Sequence, residues 1–224
     1  DAVDAVSDLA ARFAIPVTQY RPRTMNLPSA HPMHAGFNPA PWIAGADVII
    51  AVECEVPWIP RLKKPNDDCK IAHIAADPLY SGAPHRGFRA DFAITGAADK
   101  SMQALTQALE ARLGDGDAGV AERRGRIEAE LGQQSQERTA RLRDMSMIQP
   151  ADPAWISHCL NEVIGGDAVV MREAQLDLNY LERSEPRTMF GGASGLGWGL
   201  GGAVGAKLAE PERLVVAAEG DGAY

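Results

Sequence analysis

Asp221 stands between Gly220 and Gly222, directly after the apolar run Leu214-Val215-Val216-Ala217-Ala218 and Glu219. A carboxylate at the end of a strand is a hard oxygen ligand suited to Mg²⁺, and flanking glycines let the backbone approach a diphosphate that such an ion would bridge. Gly-Asp-Gly alone is also an ordinary turn. A second copy at 114–116 follows a helical pattern rather than a strand and is read as a turn only. What sets the copy at Asp221 apart is its setting. Gly191-Gly192-Ala193-Ser194-Gly195-Leu196-Gly197 leads into a small-residue helix, about Trp198 to Leu208, and the strand follows, Arg213 to Glu219. A continuous apolar run reads as a parallel strand covered on both faces, and ligands sit outside the carboxyl ends of such strands.

Few other residues suggest chemistry. Asp77 ends a second apolar strand, where an acid can bind ribose hydroxyls, but Glu53 and Glu55 follow the neighbouring strand and would repel a diphosphate. His31 and His34 are spaced like a metal pair, yet Pro32 opposes a helix between them and no third ligand is near, so they are read as loop residues. His73, His85 and His158 are isolated, and no Ser-His-Asp set or cysteine nucleophile can be assembled. Cys54, Cys69 and Cys159 form no zinc or CxxC pattern and are read as reduced, mostly buried thiols.

The elements that must position Asp221 come in two groups. Residues 4–14 form a helix with Val6, Leu9, Ala10 and Phe13 on one face, stopped by Pro16. Strands are expected at Val17–Tyr20, Val48–Val52, Ile71–Ala75 and Phe92–Ile94, with a long loop over residues 21–40 that carries function or lies over another domain. A helix from Ala97 to Leu113 carries Met102, Leu105 and Leu109 on one face. Residues 119–147 alternate charges at helical spacing and read as a solvated linker helix. Asp152 caps a further helix with Pro153 at its first position and Ile156, Leu160 and Val163 as its apolar face. Gly165-Gly166 ends it, and Ala168–Met171 is the next strand. Strands alternating with helices predict an α/β fold of two parallel-sheet domains, residues 1–113 and 151–224, joined by the charged linker 114–150.

Composition is that of an ordinary globular chain. The net charge of -8 argues against a nucleic-acid partner. No apolar run is long enough to span a bilayer, and the acidic start lacks the basic region of a signal peptide, so the expected location is the cytoplasm.

The stretch Gly195-Leu196-Gly197-Trp198-Gly199-Leu200, then Ala203-Val204-Gly205-Ala206, Pro211-Glu212-Arg213 and Glu219-Gly220-Asp221-Gly222 resembles, in order and spacing, the cofactor region of thiamine-diphosphate (ThDP) enzymes of the acetolactate synthase and benzoylformate decarboxylase type. Ile15-Pro16-Val17, His31-Pro32 with Gly36, Ala46-Asp47-Val48-Ile49-Ile50 and the strand from Ile71 to Pro78 more loosely resemble the Rossmann-like middle domain of the same family. The resemblance implies that both domains are incomplete here. The Asn that completes the Mg²⁺ site in relatives would lie beyond Tyr224, and the catalytic Glu would lie in an upstream domain.

The resemblance implies ThDP and Mg²⁺ as cofactors, with Asp221 as metal ligand and Glu173, Ala174, Gln175, Gly195, Leu196, Gly220, Gly222 and Ala223 binding the cofactor. Backbone N–H groups of 173–175 would hold the diphosphate, although an ordinary strand exit is an equal reading. Leu196 is the one residue assigned to the catalytic site itself, as the apolar wedge that bends the thiamine and brings its aminopyrimidine nitrogen near the reactive carbon. The implied activity is decarboxylation or carboligation of a 2-oxo acid by a homodimer or homotetramer, and residues 1–224 alone are expected to be inactive. The alternatives are a non-catalytic module holding FAD or ADP in the first domain and an inert fragment.

Overall fold

The computed structural model describes residues 2–83, 87–114, 116–192 and 195–223. Of the residues singled out above, His85, Asp115, Ala193 and Ser194 lie outside the described residues.

Apolar runs of β-branched residues give two three-stranded parallel sheets. In the first, β1 (Val48–Val52), β2 (Lys70–Ala75) and β3 (Phe92–Thr95) lie in the order β1-β2-β3. Helix α1 (Ala2–Phe13) buries Ala5, Leu9 and Phe13 against Ile74 of β2 and Met102 of α3 (Ala98–Leu113), a stripe at helical spacing that also takes in Leu105 and Leu109. In the second sheet the order is β5-β4-β6, with β4 (Val169–Arg172) between β5 (Met189–Gly191) and β6 (Val215–Ala218). Val170 and Met189 meet Ile164 of α5 (Pro153–Ile164) together with Leu178 and Leu181. Helix α6 (Trp198–Ala209) runs between β5 and β6 and packs on Met171, whose Sδ lies 3.4 Å from where a Cβ on Gly202 would stand.

Several expectations are corrected. Val17–Tyr20 is not a strand. Val17 makes one isolated parallel bridge to His34, and the Gln19 side chain turns inward to hold the following loop. On α5, Ile156 and Val163 face outward, the latter 81% exposed, and the buried positions are Ala154, Ser157 and Ile164. Ser157 is tolerated inside because its hydroxyl donates to Pro153 O at 2.7 Å and accepts from Asp177 N at 2.9 Å. The charged helix, α4 (Ala118–Met145), is not solvated throughout. Ile127 is buried, and Arg123 donates to the carbonyls of Ala14 (3.1 Å) and Phe13 (2.6 Å), closing the C-terminal end of α1. Strand β6 is an edge and only half-buried, not covered on both faces. Cys159 is exposed, while Cys69 is buried.

The long loop lies over the second sheet. Gly191 N donates to Arg23 O at 2.9 Å, Thr24 bridges Phe190 antiparallel, and Ser29 exchanges two bonds with Arg183, its N–H to Arg183 O and its Oγ from Arg183 N, each 2.9 Å. Among the described residues no helix is long and apolar enough to cross a membrane.

Candidate cofactor site

The site is built where the second sheet ends. The chain leaves β4 at Glu173, leaves β6 at Glu219, and enters α6 at Gly197. The amides of Glu173 and Ala174 both donate to Ala218 O, at 3.1 and 2.7 Å. In this structure the N–H groups of these two residues are engaged by β6. Gln175 is exposed.

What Glu173 offers is its side chain. The carboxylate crosses to the start of α6, where Oε1 accepts from Gly197 N at 2.6 Å and Oε2 from Gly199 N at 2.7 Å. Gly197, the residue before α6, has no side chain to cap the helix, so Glu173 satisfies two of the free amides from another element. Those amides, Gly199 first, hold the Glu173 carboxyl below the usual range.

Glu219 sits behind this contact. A Cβ on Gly199 would overlap the Glu219 carboxylate and stand 3.1 Å from Glu173 Cβ, so a larger residue would have to displace Glu219. Both Glu219 carboxyl oxygens are shielded from solvent, and the carboxyl lies against that of Glu173. Burial first, then the neighbouring Glu173, pushes the Glu219 carboxyl up. Sequence reading placed Glu219 only as the opening of the Gly-Asp-Gly motif. The signal for more was a charged residue closing an otherwise apolar strand.

Leu196 stands between Gly195 (φ 102°) and Gly197 (φ 87°), in left-handed backbone that favours glycine, and is 81% exposed. The Asp221 turn lies alongside: a Cβ on Gly197 would come within 3.1 Å of Ala223 O, and Ala223 N donates to Gly220 O at 2.9 Å. Asp221 is exposed, and its Oδ1 accepts from Gly222 N at 2.9 Å, which leaves Oδ2 open to a cation. No group of three or more metal-ligating side chains forms among the described residues. The donor set suits Mg²⁺, an ion that keeps waters and takes phosphate oxygens alongside one or two carboxylates. An exposed apolar side chain beside an exposed carboxylate turn suits a cofactor with an aromatic end and an anionic end.

The first sheet's edge differs. Glu53 takes a left-handed turn (φ 46°), its carboxylate accepts from Ala76 N at 3.3 Å, and Glu55 pairs with Arg23. Asp77 Oδ2 accepts from Ser81 N (2.8 Å) and Oγ (2.9 Å), so it closes a local turn rather than facing a ribose. His31 and His34 do not converge on a metal position: His31 lies against Ser7 O, and His34 against Gln19.

These features can be set beside known proteins. Residues 174–224 match the family model of the thiamine pyrophosphate enzyme C-terminal TPP binding domain. No curated protein matches significantly, whereas 31 chains of solved structures do. One is the Rhodococcus jostii RHA1 thiamine diphosphate-dependent 4-hydroxybenzoylformate decarboxylase, similar in fold with a TM-score of 0.69 and 22% identity over 99% of this chain. This chain spans 42% of that protein's length.

Proposed function

We propose that these residues form one wall of the active site of a ThDP- and Mg²⁺-dependent enzyme acting on a 2-oxo acid. The observation that carries this reading is the pairing of an exposed Leu196, on a turn of left-handed glycines, with the Gly220–Ala223 turn beside it. Asp221 holds Mg²⁺, and the backbone of Gly220, Gly222 and Ala223 lines the diphosphate. The backbone at Gly195 would bond the aminopyrimidine, and Leu196 would pack against the cofactor's apolar part. When bound, ThDP supplies a nucleophilic carbon that also acts as an electron sink. The chain's own residues orient it and keep its underside dry.

Two outcomes share this site: protonation with aldehyde release, as in benzoylformate decarboxylase, and transfer to a second carbonyl, as in acetolactate synthase. The substrate in the Rhodococcus protein's name, 4-hydroxybenzoylformate, is a 2-oxo acid and supports the substrate class. We place the enzyme in the cytoplasm, as a homodimer or homotetramer whose partner subunit closes the site. The FAD or ADP module gains no support, because Glu53 and Asp77 are tied up locally and Glu55 adds a further carboxylate. The test is titration of the full-length protein with ThDP and Mg²⁺ by calorimetry, then assay of carbon dioxide release from pyruvate and benzoylformate. Absence of Mg²⁺-dependent ThDP binding ends the proposal.

A further inference from the structure

We propose that Glu173 is the positioning residue of this site: its carboxylate, reaching from the end of β4, fixes the Gly195–Gly199 turn and with it the angle at which Leu196 stands. This rests on the ThDP reading above and adds a residue whose side chain, rather than its backbone, matters.

The turn cannot hold itself. Gly195 and Gly197 give it backbone freedom, and Leu196 lacks the packing that would pin an ordinary leucine. The two amides that Glu173 binds lie immediately after Leu196 and flank Trp198. Two acceptors are required, one for each N–H. A carboxylate has them, whereas a glutamine has one acceptor and would turn its NH₂ toward the other amide. The origin of the side chain is itself fixed, because Glu173 N donates to Ala218 O. Glu219 closes the remaining space at Gly199, so the contact has no room to slide. Three strand and helix ends therefore meet on one carboxylate, and a displacement of the turn moves Leu196 directly.

The experiment compares wild type, Glu173→Gln and Glu173→Asp in the full-length protein. Amide hydrogen exchange without cofactor reads the anchor, ThDP affinity reads binding, and exchange of the thiazolium proton of bound ThDP reads positioning. Glu173→Gln is expected to lose protection at Gly197 and Gly199 and to slow thiazolium proton exchange by about tenfold to a hundredfold. Its ThDP affinity should change by no more than about threefold, since Asp221 and the diphosphate turn are untouched. Glu173→Asp, one methylene shorter, reaches one amide and should fall between; it carries the comparison if Glu173→Gln fails to fold. Wild-type proton exchange in a ThDP-loaded variant overturns the proposal while leaving the cofactor reading intact. Failure of the wild type to bind ThDP overturns both.

Discussion

Gln19 and His34 meet side chain to side chain at 2.8 Å, and Gly36 N approaches the other ring nitrogen, Nδ1, at 3.4 Å. Gln19 Oε1 already accepts from the amides of Asn26 and Leu27, so its NH₂ group must donate, to Leu27 O and to His34 Nε2. Protonating the ring would set two donors face to face.

Burial, with smaller contributions from Arg138 and His31, lowers the His34 pKa from 6.5 to about 4. Because the folded-state value is depressed, the unfolded chain takes up the proton first. The stabilisation from a neutral His34 is complete above about pH 6.5, declines as pH falls, and is gone below about pH 4, a total of about 3 kcal/mol. Urea midpoints between pH 7.5 and 4.5 should fall more steeply for wild type than for His34→Gln. Parallel slopes would clear His34 of the effect.

Asp221→Ala should abolish Mg²⁺-dependent ThDP binding in the full-length protein. Its carboxylate is the only oxygen-bearing side chain in the Gly220–Ala223 turn. Calorimetry showing unchanged cofactor affinity would remove Asp221 from the metal site.

Leu196→Ala should lower turnover while the diphosphate stays anchored, because Leu196 supports the cofactor away from its charged end. With the side chain 81% exposed, stability should change by no more than about 0.5 kcal/mol. Wild-type kcat, or a large loss of folding stability, would contradict the wedge.

Arg183 is 2% exposed and donates to Ala168 O at 2.9 Å and Gly165 O at 2.7 Å, joining the end of α5 to the start of β4. Arg183→Ala leaves both carbonyls without these donors and should cost about 2–4 kcal/mol. Arg183→Lys, without the fork to reach both, should recover only part. A urea midpoint within error of wild type would show that water replaces the guanidinium without penalty.

Residues 1–224 expressed alone should bind ThDP poorly and release no carbon dioxide from pyruvate or benzoylformate. One exposed carboxylate holds Mg²⁺ weakly, and charge interactions of an open diphosphate are screened by solvent. Micromolar affinity in the same titration would mean that the site is already whole.

Strands β1, β2 and β3 were legible within a residue or two, because uninterrupted apolar runs between polar turns have few other solutions. The face of α5 was not. A buried serine reads as polar, and only Asp177 and Pro153 show why it lies inside. Val17–Tyr20 has strand-like residues but pairs with a turn-rich loop. At the site, glycines marked where Leu196 and Asp221 stand. The Glu173 side chain was hidden because its partners are 24 and 26 residues away and are brought near only by the adjacency of β4 and β6.

The strap from Arg23 to Ser29 has a consequence for how the molecule comes together. Ser29 and Arg183 are 154 residues apart in the chain, yet they share two hydrogen bonds at the rim of the second sheet. The buried interior of that sheet, with Val170, Leu181 and Met189, comes from residues 164–189, although Phe37 also packs against it. Its outer strand gains Arg23 and Thr24 only after a very long loop has been closed, and that closure entropy is spent before any of those bonds returns it. The expected order is local sheets first and the strap last, with the outer edge of strand β5 paired only once the N-terminal segment reaches it.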